Sequence, residues 1–432
     1  MTAFIPGLRA YDFESDGIYY TILSEEDRTV EVSGAPKETV MVEIPETVKD
    51  EPTDISYTVT AIGEKSFRNS SVTTVDLPET LQIIKEDAFM SCSNLSSIRI
   101  PDSVLIIESS AFMSVGFSSK DEFELKLGKS LKYIGSYNFY ESYIKGDLIL
   151  PDSLEYIGSH SFQHTEYLTS VYVPASVSYI GNGVFSGCLT LNEINVSLEN
   201  EKYASIDGVL YDKDIRLLVA FPGQKKSIII PPGVEEIGNE AFYCCGNVSI
   251  SFPPSLKKID YRAFCSSGVR DINIPEGVRE IGDSAFAECR RLESVVLPST
   301  IDTLDWGTFY WCSSLSRVTC YSIEPPICYA AFGNTNRTGN RWDDEDLTPI
   351  DEAILYVPEE SIGLYREATT WREFKEILPI EEAGIDALEA ETRFYRVYNL
   401  NGVNIFNTTE KSEINNLPAG LYIINGKKVM IK

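Results

Sequence analysis

A phenylalanine returns every 22 or 23 residues through most of this chain, and each return brings the same neighbours. Val278 to Pro298 serves as the template: V-R-E-I-G-D-S-A-F-A-E-C-R-R-L-E-S-V-V-L-P. Relative to Phe286, apolar residues stand at −8, −5, −1, +6, +9 and +11, and proline at +12. Leu81 to Pro101 repeats those offsets around Phe89. The column reads Phe67, Phe89, Phe112, Phe139, Phe162, Phe185, Phe242, Phe264, Phe286, Phe309 and Phe332. A fixed period in this range means one small structural unit repeated, each stacked on the last.

Within the unit, positions +9 and +11 alternate with polar ones (Ile98, Arg99, Ile100), which is the period of a half-buried strand. The proline that follows lacks the donor needed to extend a ladder and ends the strand. The −8, −5, −1, 0 spacing predicts one or two helical turns with an apolar stripe. Glycine at −4 (Gly63, Gly135, Gly158, Gly181, Gly238, Gly282), with Asp260 and Asp305 in the same column, predicts a corner of positive φ. No unit buries its own apolar edge, so units must stack strand beside strand. The expected fold is an α/β repeat solenoid with a parallel sheet and short helical turns.

Length alone would suggest three domains, but the repeat overrides it. Residues 1–60 carry strand-like runs and Pro45 at a repeat-like position, and are expected to form a capping hairpin and a first rung. The solenoid is expected over 61–380. The segment G-F-S-S-K-D-E-F (116–123) lengthens one step to 27 residues. A 57-residue step after Phe185 holds two apolar runs around Asp212-Lys213-Asp214, read as a hairpin insertion near 200–230 or a degenerate rung. Tyr365, Trp371, Phe374 and Ile377 recur at helix-like intervals and should cap the far end. Acidic 381–390 reads as a linker. Residues 391–432, with Asn401-Gly402 and Asn425-Gly426 between apolar runs, read as a small β module.

The motif I-x-x-I-G-x-x-A-F-x-x-C-x-x-L-x-x-V-x-L-P closely resembles the BspA-like leucine-rich repeat, the type found in Treponema pallidum surface proteins, over about 40–380. The opening Tyr11 to Tyr20 resembles the start of such proteins from Bacteroides-type bacteria. Residues 398–403 and 417–429 are similar to secretion-tail modules of that phylum. The resemblance implies a right-handed solenoid and a secreted or cell-surface protein that adheres to host or neighbouring-cell proteins. No basic and apolar leader follows Met1, so the chain is expected to begin after a cleavage site.

Net charge is −28, which opposes partners bound through phosphate, so nucleic acid and anionic membranes are poor candidates. No run of 18 apolar residues suggests a membrane helix. Two histidines, His160 and His164, starve acid–base and zinc chemistry, and are expected in the polar turn of one repeat. No G-x-S-x-G, P-loop or dinucleotide fingerprint is present, so an enzyme is not expected and no cofactor is called for. Five of nine cysteines (Cys92, Cys188, Cys245, Cys289, Cys312) stand at +3 and Cys320 at +11, which predicts buried thiols used for packing. Cys244, Cys265 and Cys328 fall off that column. The acidic run 343–346 lacks calcium-loop spacing and reads as a solvated loop.

The remaining candidates are surfaces. The outward strand column reads Asp76, Arg99, Lys126, Ile149, Tyr172, Asn195, Ser251, Asn273, Val296 and Thr319; Ile149, Tyr172 and Val296 are apolar where solvent is expected. Tyr133, Tyr156 and Tyr179 recur just before the −5 isoleucine in three successive units. They form either a contact patch of the kind aromatics favour or a self-packed ladder. Trp342 is a candidate loop contact, and Trp306, Trp311 and Trp342 could stack on sugars. Protein binding is the first expectation; a carbohydrate-binding module or a structural spacer are the alternatives. Capping at both ends argues for a monomer.

Overall fold

The computed structural model describes residues 11–116, 123–333 and 348–380, together with four backbone strands beyond them. Each rung contributes two strands rather than one. Two-residue strands Ile83–Ile84, Ile106–Ile107, Tyr133–Ile134, Tyr156–Ile157 and Tyr179–Ile180 pair in parallel register. After the insertion the same ladder resumes with Leu217–Ala220, Glu236–Ile237, Lys258–Ile259, Glu280–Ile281, Thr303–Leu304 and Ile327–Cys328. A second set of parallel ladders holds the longer strands that include +8 to +10, such as Lys145–Ile149, Tyr167–Val173 and Glu193–Val196. The −5 isoleucine therefore sits in a strand, not on a helical stripe.

The phenylalanine leg turns without becoming helix. Residues at −2 and +2 lie in the left-handed region, for example Ser110 (φ 57°) and Ser114 (φ 56°) around Phe112. Two such residues stop a right-handed helix from propagating. Alternate amides then donate along the stack, Ser110 N to Ser136 O (2.9 Å), Phe112 N to Asn138 O (3.0 Å) and Ser114 N to Tyr140 O (2.8 Å), while Met113 N between them bonds back to Ser110 O (3.1 Å). Every leg of the rung is thus bonded to the next. Among the described residues the α-helix is Ile362–Glu367.

The −4 glycines have a different reason from the one expected. None of the six has positive φ. A Cβ on Gly135, Gly158 or Gly181 would lie 2.4 Å from the amide nitrogen of Ser109, Ser136 or Ser159 on the preceding rung. Glycine is there because two backbones approach too closely for a side chain.

Inside, the phenylalanines stack. Ring centroids are 5.1–5.8 Å apart from Phe67 to Phe185 and 4.7–5.5 Å from Phe242 to Phe332. The core divides at the insertion: Leu210 and Ala220 pack with the first run, Val209, Tyr211, Leu218 and Phe221 with the second. The hairpin around 212–214 is built into the stack. Leu217–Ala220 takes the two-residue strand position, and Phe221 stacks on Phe242 at 4.6 Å. A further strand, Tyr203–Ile206, joins it through Asp207-Gly208, both of positive φ.

At the N-terminal end, Phe13–Ser15, Ile18–Ser24 and Thr29–Gly34 form an antiparallel meander, and Met41–Glu43 begins the longer-strand ladder. At the other end, Tyr365, Trp371, Phe374 and Ile377 are buried. Trp371 and Phe374 meet Phe332 edge-on at 5.9 and 5.5 Å. Only Tyr365 of the four is α-helical; Trp371 lies in a 3-10 turn and Ile377 in a strand. The linker at 381–390 lies outside the described residues. The last four strands form an antiparallel sheet in the order Asn404–Thr408, Tyr395–Tyr398, Gly420–Ile424, Lys427–Ile431.

Candidate functional site

The tyrosine column is a stacked ladder. Tyr133, Tyr156 and Tyr179 are the outward residues of three paired strands, with ring centroids 4.6 Å apart and planes 11° from parallel at both steps. That separation is close to the rung spacing, so parallel pairing alone brings the rings face to face. Burial between its neighbours raises the Tyr156 phenol above its ordinary pKa. Tyr179 at the end is 45% exposed. Outward Ile83 and Ile106 precede the tyrosines in the same register, so the column is apolar for five rungs. The next side chain along, Tyr203, accepts a hydrogen bond from Ile180 N at 2.8 Å.

On the longer strands, Ile149 is 71% exposed and pairs directly with exposed Tyr172. A hollow of about 410 Å³ adjoins Ile149, lined in part by Arg99, Lys126 and Asp147. The charges beside it are locally paired: Arg99 with Glu79 (2.7 Å) and Lys129 with Asp102 (2.9 Å). Val296 is half-buried and does not join this patch; it belongs to a different ladder, beyond the insertion. Thr319, expected to face outward, is buried between the register partners Val296 and Tyr356.

Trp342 lies outside the described residues, as does the acidic run beside it. The other tryptophans divide between surface and core. Trp306 is exposed and leans on Tyr310, which stacks on half-buried Trp311. Trp371 is core, its Nε1 donating to Pro326 O at 2.9 Å.

All nine cysteines are free. The +3 column is a set of donors as well as small side chains. Cys92, Cys188, Cys289 and Cys312 each donate Sγ–H to the carbonyl of the phenylalanine one rung back, at 3.0–3.1 Å. Ser142 makes the same bond to Phe112 O. Burial pushes the Cys188 and Cys289 thiols up to about 12, which makes them poor nucleophiles. Among the described residues no group of three or more metal-ligating side chains is placed to hold an ion.

His160 and His164 do lie in the turn of one repeat, at −2 and +2, both with positive φ. Sequence reasoning missed what faces them. In the next rung the same two positions are Gly183 and Gly187, and the space they leave is filled from both sides. Glu240, almost fully buried, reaches back from the rung beyond: its Oε2 lies 3.3 Å from His160 Nε2 and accepts from Gln163 Nε2 at 3.2 Å. Desolvation lowers the His164 pKa and favours its neutral form. Glycine at both left-handed positions of one rung was the available signal.

The BspA type leucine rich repeat region matches residues 51–123, 117–207 and 220–338, in six copies. No curated protein matches the chain. Among solved structures, the Pneumococcal vaccine antigen PcpA is similar at 22% identity over 85% of this chain and 98% of its own, with a TM-score of 0.56. A leucine-rich repeat protein from Eubacterium ventriosum is similar at 20% identity over 77% and 98%, TM-score 0.53. A leucine rich cell surface protein from Faecalibacterium prausnitzii matches at 24% identity over 71% and 94%, TM-score 0.48. With well over half of its length matched by the repeat, the chain belongs to the BspA type leucine-rich repeat family.

Proposed function

We propose that this chain is a non-enzymatic, monomeric protein of the cell surface or extracellular space that binds a protein partner. The binding surface is the apolar column of the first run, Tyr133, Tyr156 and Tyr179, assisted by Ile149 and Tyr172 on the longer strands. One observation carries the reading: this column is aromatic in three successive rungs of one run and charged in three successive rungs of the other, although the backbone is the same. In the second run its positions are Glu236, Lys258 and Glu280. Stacking of rungs therefore does not require aromatics there. Tyrosine supplies large contact area at low entropic cost, which is why it recurs in binding hot spots. The surface location follows the family likeness, which includes a vaccine antigen of the same fold. Net charge of −28 sets nucleic acid and anionic membranes aside.

The test is capture by the immobilised full chain from host extracellular-matrix proteins and bacterial surface extract, beside a Tyr133→Ser, Tyr156→Ser, Tyr179→Ser variant. A saturable protein partner lost in the variant is the expected result. A partner kept by the variant relocates the site to Ile149 and Tyr172. Absence of any protein partner overturns the reading and leaves the spacer role.

A further inference from the structure

A second hollow lies on the phenylalanine-leg turns, away from both strand ladders. A cavity of about 380 Å³ opens beside His160 and Glu240, the side chains that fill the Gly183 position, and is lined by residues of five successive rungs. Its floor is polar and mostly already bonded: His160, Gln163 and Glu240 hold one another as described above. The amides of Asn182 and Asn239 also line it. At one end stand Tyr137 and Tyr140, at the other Tyr243 and Tyr261. Tyr137 lies flat on His160 (4.8 Å, 17°) and is 41% exposed; Tyr261 is 46% exposed. His160 Nδ1 is buried without a hydrogen-bond partner.

We propose that this cavity binds the ring of a neutral sugar. The volume suits a small ligand. A pyranose offers apolar C–H faces to aromatic walls and a rim of hydroxyls to carboxylate and amide groups. Those are the two kinds of surface the cavity presents. Competing ligand classes fit less well. An amine would seek the tyrosine faces through cation–π attraction, but would meet the like charge of Arg262, whose guanidinium lies 4.9 Å from the Tyr243 ring and 5.9 Å from the Tyr261 ring. An anion would find the one guanidinium of the lining, Arg262, already paired with Glu240 at 3.8 Å, and would meet the field of a strongly acidic chain. The site shares no residue with the tyrosine ladder, so it stands or falls apart from the protein-binding proposal.

Saturation-transfer NMR on the full chain tests this, with methyl glucoside, methyl galactoside, methyl mannoside and N-acetylglucosamine as probes, and glucosamine and glucuronate as charged controls. At least one neutral probe should saturate in the millimolar range, with strongest transfer at ring C–H protons. Tyr261→Ala and Tyr137→Ala, both at exposed positions, should each weaken it about tenfold, the scale of one lost contact. The Tyr133/Tyr156/Tyr179 triple variant should bind the probe unchanged. Three results overturn the proposal: no neutral probe saturates, binding survives both single variants, or only glucosamine or glucuronate binds. Unaltered melting of the two single variants separates a lost site from a lost fold.

Discussion

The two runs of rungs on either side of the insertion share a backbone and differ in what they show to solvent. Before it, the outward column of the two-residue strands is Ile83, Ile106, Tyr133, Tyr156, Tyr179; after it, Leu217 and then Glu236, Lys258, Glu280, Thr303, Ile327. The second column is laced by ion pairs along and across it, such as Lys258 with Asp260 (2.5 Å) and Glu236 (3.7 Å), and Lys257 with Glu235 (2.8 Å). The pair of Lys257 and Glu235, open to solvent, contributes little to stability, whereas the Asp260 carboxylate that holds Lys258 is buried. The inward partners hardly change: Ile84, Ile107, Ile134, Ile157 and Ile180 in one run, Ile237, Ile259, Ile281 and Leu304 in the other, all buried. What the fold demands is constant, and what varies is free for function.

If the interior is equivalent in the two runs, then Phe89→Ala and Phe264→Ala should be equally damaging. Each removes a fully buried ring from a stack, at about 3–5 kcal/mol. Because the core divides at the hairpin, the damage should stay local. Hydrogen exchange should show lost protection mainly within the mutated run. Uniform loss over the whole chain would mean that the two cores unfold as one unit.

The next effect separates the runs by how tightly rungs approach. A Cβ on Gly158 would sit 2.4 Å from a backbone nitrogen, one on Gly238 no nearer than 3.0 Å to a carbonyl oxygen. Gly158→Ala should therefore lower the urea midpoint by an amount worth about 1–3 kcal/mol, as overpacking does. Gly238→Ala should lower it less. Equal shifts would show that the closer contact relaxes.

How far the sequence disclosed this follows from what repeats. Phenylalanine, the −5 isoleucine and the +9 and +11 positions are dictated by the shared interior, so their spacing carried the solenoid and its parallel strands. The helical reading of the −5 to 0 segment failed because amphipathic spacing is the same whether amides bond within a turn or to the next rung. The glycine column was visible, but close approach and positive φ leave the same residue in a sequence. The contact of Glu240 with His160 was hidden for another reason: the two are 80 residues apart in the chain, and the insertion between them gives no hint that their rungs are two steps apart. The tyrosine ladder was legible because its register is the repeat itself.

A smaller effect comes from exchanging the two surfaces. Tyr156→Lys should remove two stacking contacts, each worth about 0.5–1.5 kcal/mol. Glu280→Tyr, at an exposed position of the charged column, should change the thermal midpoint hardly at all. A large loss from Glu280→Tyr would mean that the charged column holds its run together.

The subtlest difference is in response to pH. Glu236 shares a hydrogen bond with Asp260, and that bond, burial and the neighbouring negative charge raise its pKa to about 7 from 4.5. The folded state thus holds this proton more tightly than the unfolded chain does. Its contribution is full below about pH 4.5 and is lost as pH rises through 7, after which it no longer changes. Glutamine at this position keeps a neutral hydrogen-bonding group at every pH. Glu236→Gln should therefore melt with the parent near pH 4 and above it near pH 8, the gap opening through the interval between. The tyrosine column has no carboxylate in its outward positions, and Tyr156→Phe should show no such gap over the same range. A gap of equal size at both pH values would remove the shared proton from the account and leave packing as the cause.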